Sequence, residues 1–138
     1  MLDLDFFKAI NDRYGHLIGD QALRLVAEIM TQNKRNYDYA GRWGGEEFLL
    51  VLPGAALADA GLVAERLRKA VAAAQLPVPP QETISLRVSL GVACSSNPNG
   101  PLTLDALLQQ ADEALYQAKA GGRNRVCLYE PPPADTDA

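Results

Sequence analysis

Residues 42–52 have the sequence RWGGEEFLLVL. Two glycines, Gly44 and Gly45, divide a strand predicted for Tyr37 to Trp43 from an apolar run between Phe48 and Leu52. A strand, a glycine pair and a second strand indicate a β-hairpin, because glycine accepts the positive φ that tight turns need. The uninterrupted apolar run predicts a second strand buried on both faces. Such a hairpin argues against a purely parallel sheet.

The hydrophobic period changes several times on either side of the hairpin. Alternating stretches predict strands, and stripes with a period near 3.6 predict helices. Together they predict an α/β (α+β) domain, in which a central mixed sheet of about five strands is flanked by about four helices. The remaining predicted elements are a strand at 1–4, a short helix from Phe6 to Gly15, helices at 19–33 and 57–71, a strand at 83–94, a helix capped by Thr103 with Leu104 opening its stripe and Gly121-Gly122 as its left-handed stop, and a strand at 125–129.

The length and charge of the chain restrict its class. A chain of 138 residues has room for one domain with one core. We expect this domain to span residues 1–129, followed by a disordered tail at 130–138 that holds three consecutive prolines. The net charge of −4 argues against a protein that coats nucleic acid or an anionic membrane, so no nucleic-acid partner is expected.

Several features indicate a cytoplasmic domain. No apolar run approaches the roughly 18 residues of a membrane span. The first residues include Asp3 and Asp5, where a signal peptide would carry cations. Cys94 and Cys127 are isolated and lack metal-ligand spacing, which is typical of buried, reduced thiols. A longer parent protein could still anchor such a domain to a membrane.

Two pairs of acids occur at predicted strand ends. Asp3 and Asp5 lie where a strand gives way to a helix, and the pair Glu46-Glu47 follows the glycine turn. A strand end and an adjacent hairpin can bring these carboxylates together, and a cluster of hard oxygen ligands favours Mg²⁺. Magnesium held by carboxylates and substrate phosphates is typical of phosphoryl and nucleotidyl transfer. The alternative is that all four acids are solvated turn residues.

The cations and amides leave similar alternatives. Lys119 and Arg123 lie at the end of the last predicted helix and Lys8 in the first one, where they suit a triphosphate or, for Lys119, the helix dipole. His16, the only histidine, is more typical of a capping residue than of a catalytic base. The polar side chains of Asn11 and Asp20 could bind a guanine edge or cap helices.

These residues together resemble the GGDEF family of diguanylate cyclases. The resemblance runs from Met1 to about Tyr129, and Glu46 stands where the family name has Asp, which keeps the carboxylate. The stretches that carry it are Asp3-Leu4-Asp5-Phe6-Phe7-Lys8-Ala9-Ile10-Asn11-Asp12, Tyr14-Gly15-His16, Gly19-Asp20, Arg42-Trp43-Gly44-Gly45-Glu46-Glu47-Phe48, Ser89-Leu90-Gly91-Val92, Ala111-Asp112-Glu113-Ala114-Leu115-Tyr116-Gln117-Ala118-Lys119 and Gly122-Arg123-Asn124.

The resemblance implies a palm-like nucleotidyl-cyclase sheet and a reaction in which two GTP become cyclic di-GMP and two pyrophosphates. Asp3, the Leu4 carbonyl and Glu46 would hold Mg²⁺, with Mn²⁺ as a substitute, and Glu47 would assist with the metal or with deprotonation. Asp3, Glu46, Glu47 and Lys119 would be the catalytic group. The implied nucleotide-binding residues are Phe6, Phe7, Lys8, Asn11, His16, Asp20, Leu23, Gly44, Gly45, Lys119 and Arg123, with guanine on Asn11 and Asp20 and phosphates on the cations.

The resemblance also implies partners and regulation. One domain binds one GTP, so catalysis would require a two-fold homodimer. An RxxD motif formed by Arg35 and Asp38, with Arg66 as a second arginine, corresponds to the family's inhibitory site for cyclic di-GMP. Taken alone, such a motif is more typical of an exposed ion pair that contributes little.

The family pattern differs from this chain at its front. Family members usually carry a further N-terminal helix and motif, so we expect reduced activity or stability, and a sensory or regulatory domain in the parent protein. Two alternatives to an active cyclase stay open. One is an inactive GGDEF module that binds cyclic di-GMP or GTP as a receptor, and the other is an unrelated nucleotide-sugar transferase with an Asp-x-Asp motif.

Overall fold

The computed structural model describes residues 1–96 and 100–130. The tail predicted at 130–138 therefore lies, from residue 131 onward, outside the described residues. Within them the chain forms β1 (Leu2–Leu4), α1 (Phe7–Tyr14), α2 (His16–Asn33), β2 (Tyr39–Gly44), β3 (Glu47–Val51), α3 (Leu57–Ala73), β4 (Gln75–Val78), β5 (Glu82–Ser85), β6 (Val88–Val92), α4 (Leu104–Ala120) and β7 (Val126–Leu128).

The main sheet has five strands in the order β2-β3-β1-β6-β7. β1 lies at its centre and pairs antiparallel with both β3 and β6, whereas β7 runs parallel to β6. The mixed sheet with about four helices is therefore confirmed. β4 and β5 form a separate two-stranded antiparallel sheet.

Helices cover the main sheet on two sides. Leu2 and Leu4 of β1 are buried in the core with residues of α2 and α3. Because side chains alternate along a strand, Asp3 points to the opposite side, where it contacts Lys119 of α4. α4 packs closely against β6 at Gly91, where a Cβ would clash with backbone atoms of the helix. The core and the candidate site thus occupy opposite faces of one strand.

The prediction that the second hairpin strand is buried on both faces is wrong. In β3 only Phe48 is buried, whereas Leu49 and Leu50 are half-buried and Val51 is 45% exposed. α4 packs on β6 and β7 rather than on the hairpin. Leu49 and Val51 consequently line an open, largely apolar groove of about 510 Å³.

The single strand predicted at 83–94 is also wrong. It divides into β5 and β6, which belong to different sheets. The buried Leu86 lies between them, so the apolar alternation continues across the break and conceals it. β4, which pairs with β5, was not predicted because Pro77 lies within it. A two-stranded sheet has only edge strands, in which proline is tolerated.

The helix ends agree with the prediction except in detail. α2 begins at His16 rather than at residue 19. Thr103 caps α4, since its hydroxyl accepts a hydrogen bond of 3.1 Å from the Ala106 N–H. Leu104, predicted to open the buried stripe of α4, is 70% exposed. Only Gly122 of the predicted glycine stop has a positive φ, of 123°.

We expect Gly91→Ala to destabilise the fold. A Cβ on Gly91 would lie 2.2 Å from the Ala111 carbonyl oxygen and 2.2 Å from the Leu115 nitrogen, both backbone atoms of α4. The free energy of unfolding, measured with urea, should fall by about 1–3 kcal/mol or more because α4 has to move away from the sheet.

Gly41→Ala in β2 is the matched control, since a Cβ there meets no atom within 4 Å. Its free energy of unfolding should change by no more than about 0.5 kcal/mol. Equal losses in the two variants would contradict this account of Gly91.

Candidate functional site

Carboxylates from the central strand and the hairpin lie side by side. Asp3 is the direct cross-strand partner of Glu47, so both side chains leave the same face of the sheet. The Leu4 N–H donates a hydrogen bond of 3.1 Å to the Glu46 carbonyl oxygen, which extends this pairing into the hairpin turn. The structure therefore brings together three acids predicted from sequence, at the junction of β1 and the hairpin.

Asp3 is buried and paired with a lysine. Its Oδ2 accepts a hydrogen bond of 2.6 Å from Nζ of Lys119, in the last turn of α4. Burial raises the pKa of the Asp3 carboxyl above its ordinary value and Lys119 opposes that rise, while the negative charges of Glu46 and Glu47 add to it. One lysine thus faces three carboxylates, an arrangement that a further cation would stabilise.

These acids fit a divalent metal that binds together with a substrate. Among the residues that the structure describes, no three Asp, Glu, His or Cys side chains form a ready-made metal cluster. Mg²⁺ is commonly bound by only one or two carboxylates, with substrate phosphates and water completing its coordination. The oxygen donors of Asp3 and the hairpin acids meet that requirement.

Asp5 does not join this cluster. Its carboxylate is buried and accepts hydrogen bonds from the Ser89 hydroxyl, at 2.7 Å, and from the Asn124 N–H, at 2.9 Å. The expected group of four acids therefore contains three. Sequence reasoning did not find this role of Asp5, because its partners lie 84 and 119 residues away along the chain.

The hairpin turn differs from the predicted one. Neither Gly44 nor Gly45 has a positive φ, and the register shifts between Arg42 and Gly44. Arg42, which was given no role from the sequence, closes the turn by donating hydrogen bonds of 3.0 and 2.6 Å from Nε and Nη2 to the Gly45 carbonyl. A Cβ on either glycine would meet no atom within 4 Å, so both leave the turn open to an approaching ligand.

The predicted cations occupy different positions. The Arg123 guanidinium lies over the Phe6 ring, 4.9 Å from its centroid. Both residues have left-handed backbones, with φ of 64° and 59°. Phe6 is the exposed N-cap of α1, and Lys8 is exposed on that helix. Arg123 and Phe6 thus meet beside the strand end that carries Asp3, whereas Lys8 contributes an unburied charge.

Asn11 has a buried oxygen without a hydrogen-bond partner. Oδ1 of Asn11 lies against Gly19 of α2, where a Cβ would come within 1.8 Å of it and within 3.4 Å of the Phe7 ring. The absence of a side chain at Gly19 therefore creates the space that Asn11 occupies. A buried acceptor without a partner is costly, and a ligand N–H would satisfy it. His16, predicted nearby, is exposed at the start of α2.

A cavity of about 430 Å³ lies between α2 and the hairpin. Asp20 and Leu23 line it, as do Arg24 and Arg42, and Phe48 contributes from β3. The cavity combines an apolar wall with one acid and two arginines. Asp20 and Leu23, two of the predicted nucleotide-binding residues, therefore face a space that a ligand can enter.

The RxxD motif forms a separate, tightly bonded cluster. Nε and Nη2 of Arg35 donate to Asp38, with the shortest of these bonds at 2.8 Å, and the Arg35 N–H donates at 2.7 Å. These bonds hold the pKa of Asp38 below its ordinary value. The Asp38 side chain is 1% exposed and that of Arg35 40%, so the pair is not the fully exposed one of the alternative interpretation. Arg66 donates to the Asn33 carbonyl, at the start of the same loop.

Comparison with known proteins agrees with this architecture. A model of the family described as "Diguanylate cyclase, GGDEF domain" matches residues 1–125. The chain belongs to the GGDEF family. It is 45% identical over 127 residues to the response regulator PleD of Caulobacter vibrioides, a match that covers 91% of this chain and 28% of PleD. It is 43% identical over 130 residues to the diguanylate cyclase DosC of Escherichia coli, covering 94% of this chain and 28% of DosC. This GGDEF chain thus spans little more than a quarter of the length of these curated relatives.

Solved GGDEF structures have the same fold. The GGDEF domain of DgcB from Caulobacter crescentus, in complex with c-di-GMP, superimposes with a TM-score of 0.86 and 36% identity, covering 94% of this chain and 73% of that one. The active GGEEF domain of a diguanylate cyclase from Vibrio cholerae gives a TM-score of 0.84 and 32% identity, covering 95% and 81% of the two chains.

Within the described part of the chain, no helix combines the length and apolar character needed to cross a membrane.

We expect Gly19→Ala to move the Asn11 side chain without unfolding the domain. The new Cβ would displace the end of a flexible side chain, and alanine is favoured over glycine in a helix by about 1 kcal/mol. The free energy of unfolding should stay within about 1 kcal/mol of the parent, while the NMR resonances of the Asn11 side-chain amide shift.

Gly61→Ala, a glycine substitution in α3 next to Leu128, is the control. It should leave the Asn11 amide resonances in place. Unchanged resonances in Gly19→Ala would mean that Asn11 does not depend on the space at Gly19.

Proposed function

We propose that this domain is a diguanylate cyclase that condenses two GTP into cyclic di-GMP and two pyrophosphates. The observation that carries the proposal is the trio of Asp3, Glu46 and Glu47, which stands against Lys119 at the junction of β1, the hairpin and α4. Acids and a cation on two sides of one space suit a metal-bound triphosphate. Relatives named diguanylate cyclase support the reaction class.

Asp3, the Leu4 carbonyl and Glu46 would hold the Mg²⁺ ion, with Glu47 beside them, and Mn²⁺ would suit the same oxygen donors. When bound, the metal would neutralise phosphate charge and lower the pKa of the attacking hydroxyl. The buried Asp3 benefits most from such a cation, because its charge is otherwise balanced only by Lys119.

The guanine would bind at α1 and α2. Oδ1 of Asn11 is a buried acceptor without a partner, and guanine presents N–H donors on its Watson–Crick edge. Asp20 and Leu23 line the adjoining cavity, where the acid can accept a second hydrogen bond and the leucine can pack on the ring. Phe7 borders the space at Gly19. Phe6, His16, Gly44 and Gly45 would complete the nucleotide-binding surface.

The phosphates would bind at the end of α4. Lys119 and Arg123 lie there, and Lys8 of α1 adds a third cation. In the reaction a 3′-oxygen forms a bond to the α-phosphorus of the other GTP as the bond from that phosphorus to the pyrophosphate oxygen breaks. The carboxylate of Glu47 would accept the hydroxyl proton or pass it to water, and the cations would stabilise the leaving pyrophosphate.

Catalysis would require two copies of the domain. One set of guanine and phosphate residues holds one GTP, so the second substrate has to come from a facing domain related by two-fold symmetry. Alignment of two bound substrates then supplies a large part of the rate enhancement. A sensory or regulatory domain of the parent protein would control this encounter.

Cys94 and Cys127 are free thiols, which suits work in the reducing cytoplasm, where GTP is available.

We also propose that Arg35, Asp38 and Arg66 bind cyclic di-GMP and inhibit the enzyme. Nε and Nη2 of Arg35 donate to the buried Asp38, while the Arg35 side chain stays 40% exposed in the loop before β2. The guanidinium also lies over the Tyr37 ring, 4.4 Å from its centroid. A planar cation with an aromatic partner suits a ligand of phosphates and purines.

Incubation with GTP and Mg²⁺ at high protein concentration tests the activity, with cyclic di-GMP detected by chromatography. Product that increases steeply with protein concentration supports a dimeric cyclase. A folded protein that forms no product but binds cyclic di-GMP at micromolar concentration would instead be a receptor.

We expect Glu47→Gln to abolish turnover while leaving the fold intact. The substitution keeps the shape of the side chain but removes its charge and basicity next to Asp3. Initial rates of cyclic di-GMP formation should fall by roughly 10²-fold or more, with an unchanged circular dichroism spectrum.

Glu28→Gln, the same change at an exposed position of α2, serves as the control and should retain the parent rate. Full activity of Glu47→Gln would remove Glu47 from the mechanism.

We expect Arg35→Ala to relieve product inhibition. Without the guanidinium the loop loses its main charged contact for cyclic di-GMP, so the inhibition constant should rise by about tenfold or more. Initial rates at increasing cyclic di-GMP give this constant.

The control is Arg13→Ala, an exposed arginine of α1 that is 4.0 Å from its nearest acid. It should leave the inhibition constant unchanged. Persistent inhibition in Arg35→Ala would place the inhibitory product elsewhere, with the active site as the first candidate.

A further inference from the structure

The loop after α4 carries Arg123, and an acid outside the proposed metal site holds the backbone of that loop. We propose that Asp5 is a positioning residue, which orients Arg123 toward the triphosphate by fixing the turn on which Arg123 stands. The inference rests on the proposed function, because it assigns Arg123 to the phosphates. Asp3 and Asp5 are close in sequence, but the carboxylate of Asp5 bonds to Ser89 and Asn124 and not to Lys119.

Arg123 stands in a strained turn. Arg123 and Asn124 are consecutive non-glycine residues with φ of 64° and 48°. The left-handed conformation is unfavourable for arginine, whereas asparagine tolerates it more readily. Such a turn persists only where its surroundings specify it. The conformation of Arg123 therefore depends on contacts made by its own backbone and by the next residue.

Two hydrogen bonds fix the peptide groups on either side of Arg123. The Arg123 N–H donates to the Ala118 carbonyl of α4 at 3.0 Å. The Asn124 N–H, on the far side, donates to Oδ2 of Asp5 at 2.9 Å. The helix thus holds one side of the turn and Asp5 the other. The carbonyl of that second peptide also accepts a hydrogen bond of 3.1 Å from Arg125 Nε, and Asn124 Oδ1 accepts one of 3.0 Å from Arg68. Both of these contacts are solvent-exposed, so loss of the Asp5 bond would leave the Arg123 ψ only weakly restrained.

Asp5 is itself held firmly. Its Oδ1 accepts a hydrogen bond of 2.7 Å from the buried Ser89 hydroxyl of β6, and its carboxylate is shielded from solvent. Both oxygens are therefore engaged within the protein, which leaves Asp5 unsuited to bind a metal in this arrangement. The anchor for the Arg123 turn is the central sheet.

Asp5 also fixes the surface under the arginine. Phe6 follows directly in the chain and has a φ of 59°. The Arg123 guanidinium lies over the Phe6 ring at 4.9 Å, within the range of a cation–π contact. Asp5 is therefore connected to both partners of this contact. Phe6 is its neighbour in the chain, and Arg123 is held through the Asn124 N–H. The arginine is held beside the strand end that carries Asp3.

Equilibrium binding of 3′-deoxy-GTP and of GMP, both with Mg²⁺, tests the proposal. The deoxy nucleotide lacks the attacking hydroxyl, so no turnover disturbs the measurement. The dissociation constant of GMP divided by that of 3′-deoxy-GTP contains the contribution of the β- and γ-phosphates. The effect of the missing 3′-hydroxyl cancels when this ratio is compared between variants. We expect Arg123→Ala to reduce this ratio by about tenfold. Asp5→Ala should reduce it by a similar factor, with a smaller effect on GMP, and the double variant should lose no more than either single variant.

Two further variants separate positioning from general stability. Asp5→Asn can accept from the Asn124 N–H with its carbonyl and donate to the Ser89 hydroxyl with its amide, so the ratio should stay within about threefold of the parent. Ser89→Ala removes only the other hydrogen bond and should lower the thermal midpoint while keeping the ratio. If Asp5→Ala does not fold, Asp5→Val takes its place, since it fills more of the space but has no atom that can accept from the Asn124 N–H.

The outcomes distinguish this inference from the function beneath it. A parent protein that binds both nucleotides equally, or neither, would contradict the proposed function of the site. A ratio that falls in Arg123→Ala but not in a folded Asp5→Ala or Asp5→Val variant would overturn the role of Asp5. Additive losses in the double variant would overturn it as well, because Asp5 would then act independently of Arg123.

Discussion

The pairing of β1 between β3 and β6 is the constraint on which the rest of the structure depends. This strand has only three residues, and both of its edges are bonded to neighbouring strands. Leu2 and Leu4 enter the core on one face, and Asp3 meets Lys119 on the other. A shift of one residue would place the acid in the core and a leucine among the carboxylates. A single register therefore specifies both stability and chemistry.

The burial of Asp3 explains why the proposed site has its particular composition. An acid removed from water needs a counter-charge, and Lys119 supplies it from the last turn of α4. Glu46 and Glu47 then exceed the charge that one lysine can balance. The site is in this respect incomplete without a positively charged partner, whereas the RxxD cluster balances Asp38 with Arg35 internally. The two clusters differ in charge balance as well as in place.

Local patterns predicted the features that depend on local chemistry. The helices, the Thr103 cap and the hairpin follow from periodicity, capping and glycine placement. The break at Leu86 was not predictable, because the apolar alternation continues through it. Local pattern alone did not distinguish Asp3 from Asp5 either, since each directly follows a leucine. Their partners come from distant parts of the chain, which only the fold brings together. The exposure of β3 likewise depends on where α4 packs.

The close approach of α4 to β6 at Gly91 has a consequence for how the site tolerates change. No side chain separates the helix from the strand at this point, so main-chain atoms alone set the distance between them. Core side chains elsewhere can be exchanged for others of similar volume without altering that distance. Lys119 lies about one helical turn beyond Leu115 on the same helix, so its position follows this main-chain contact more than the volume of the core side chains. The site can keep its geometry while the interior of the protein diverges.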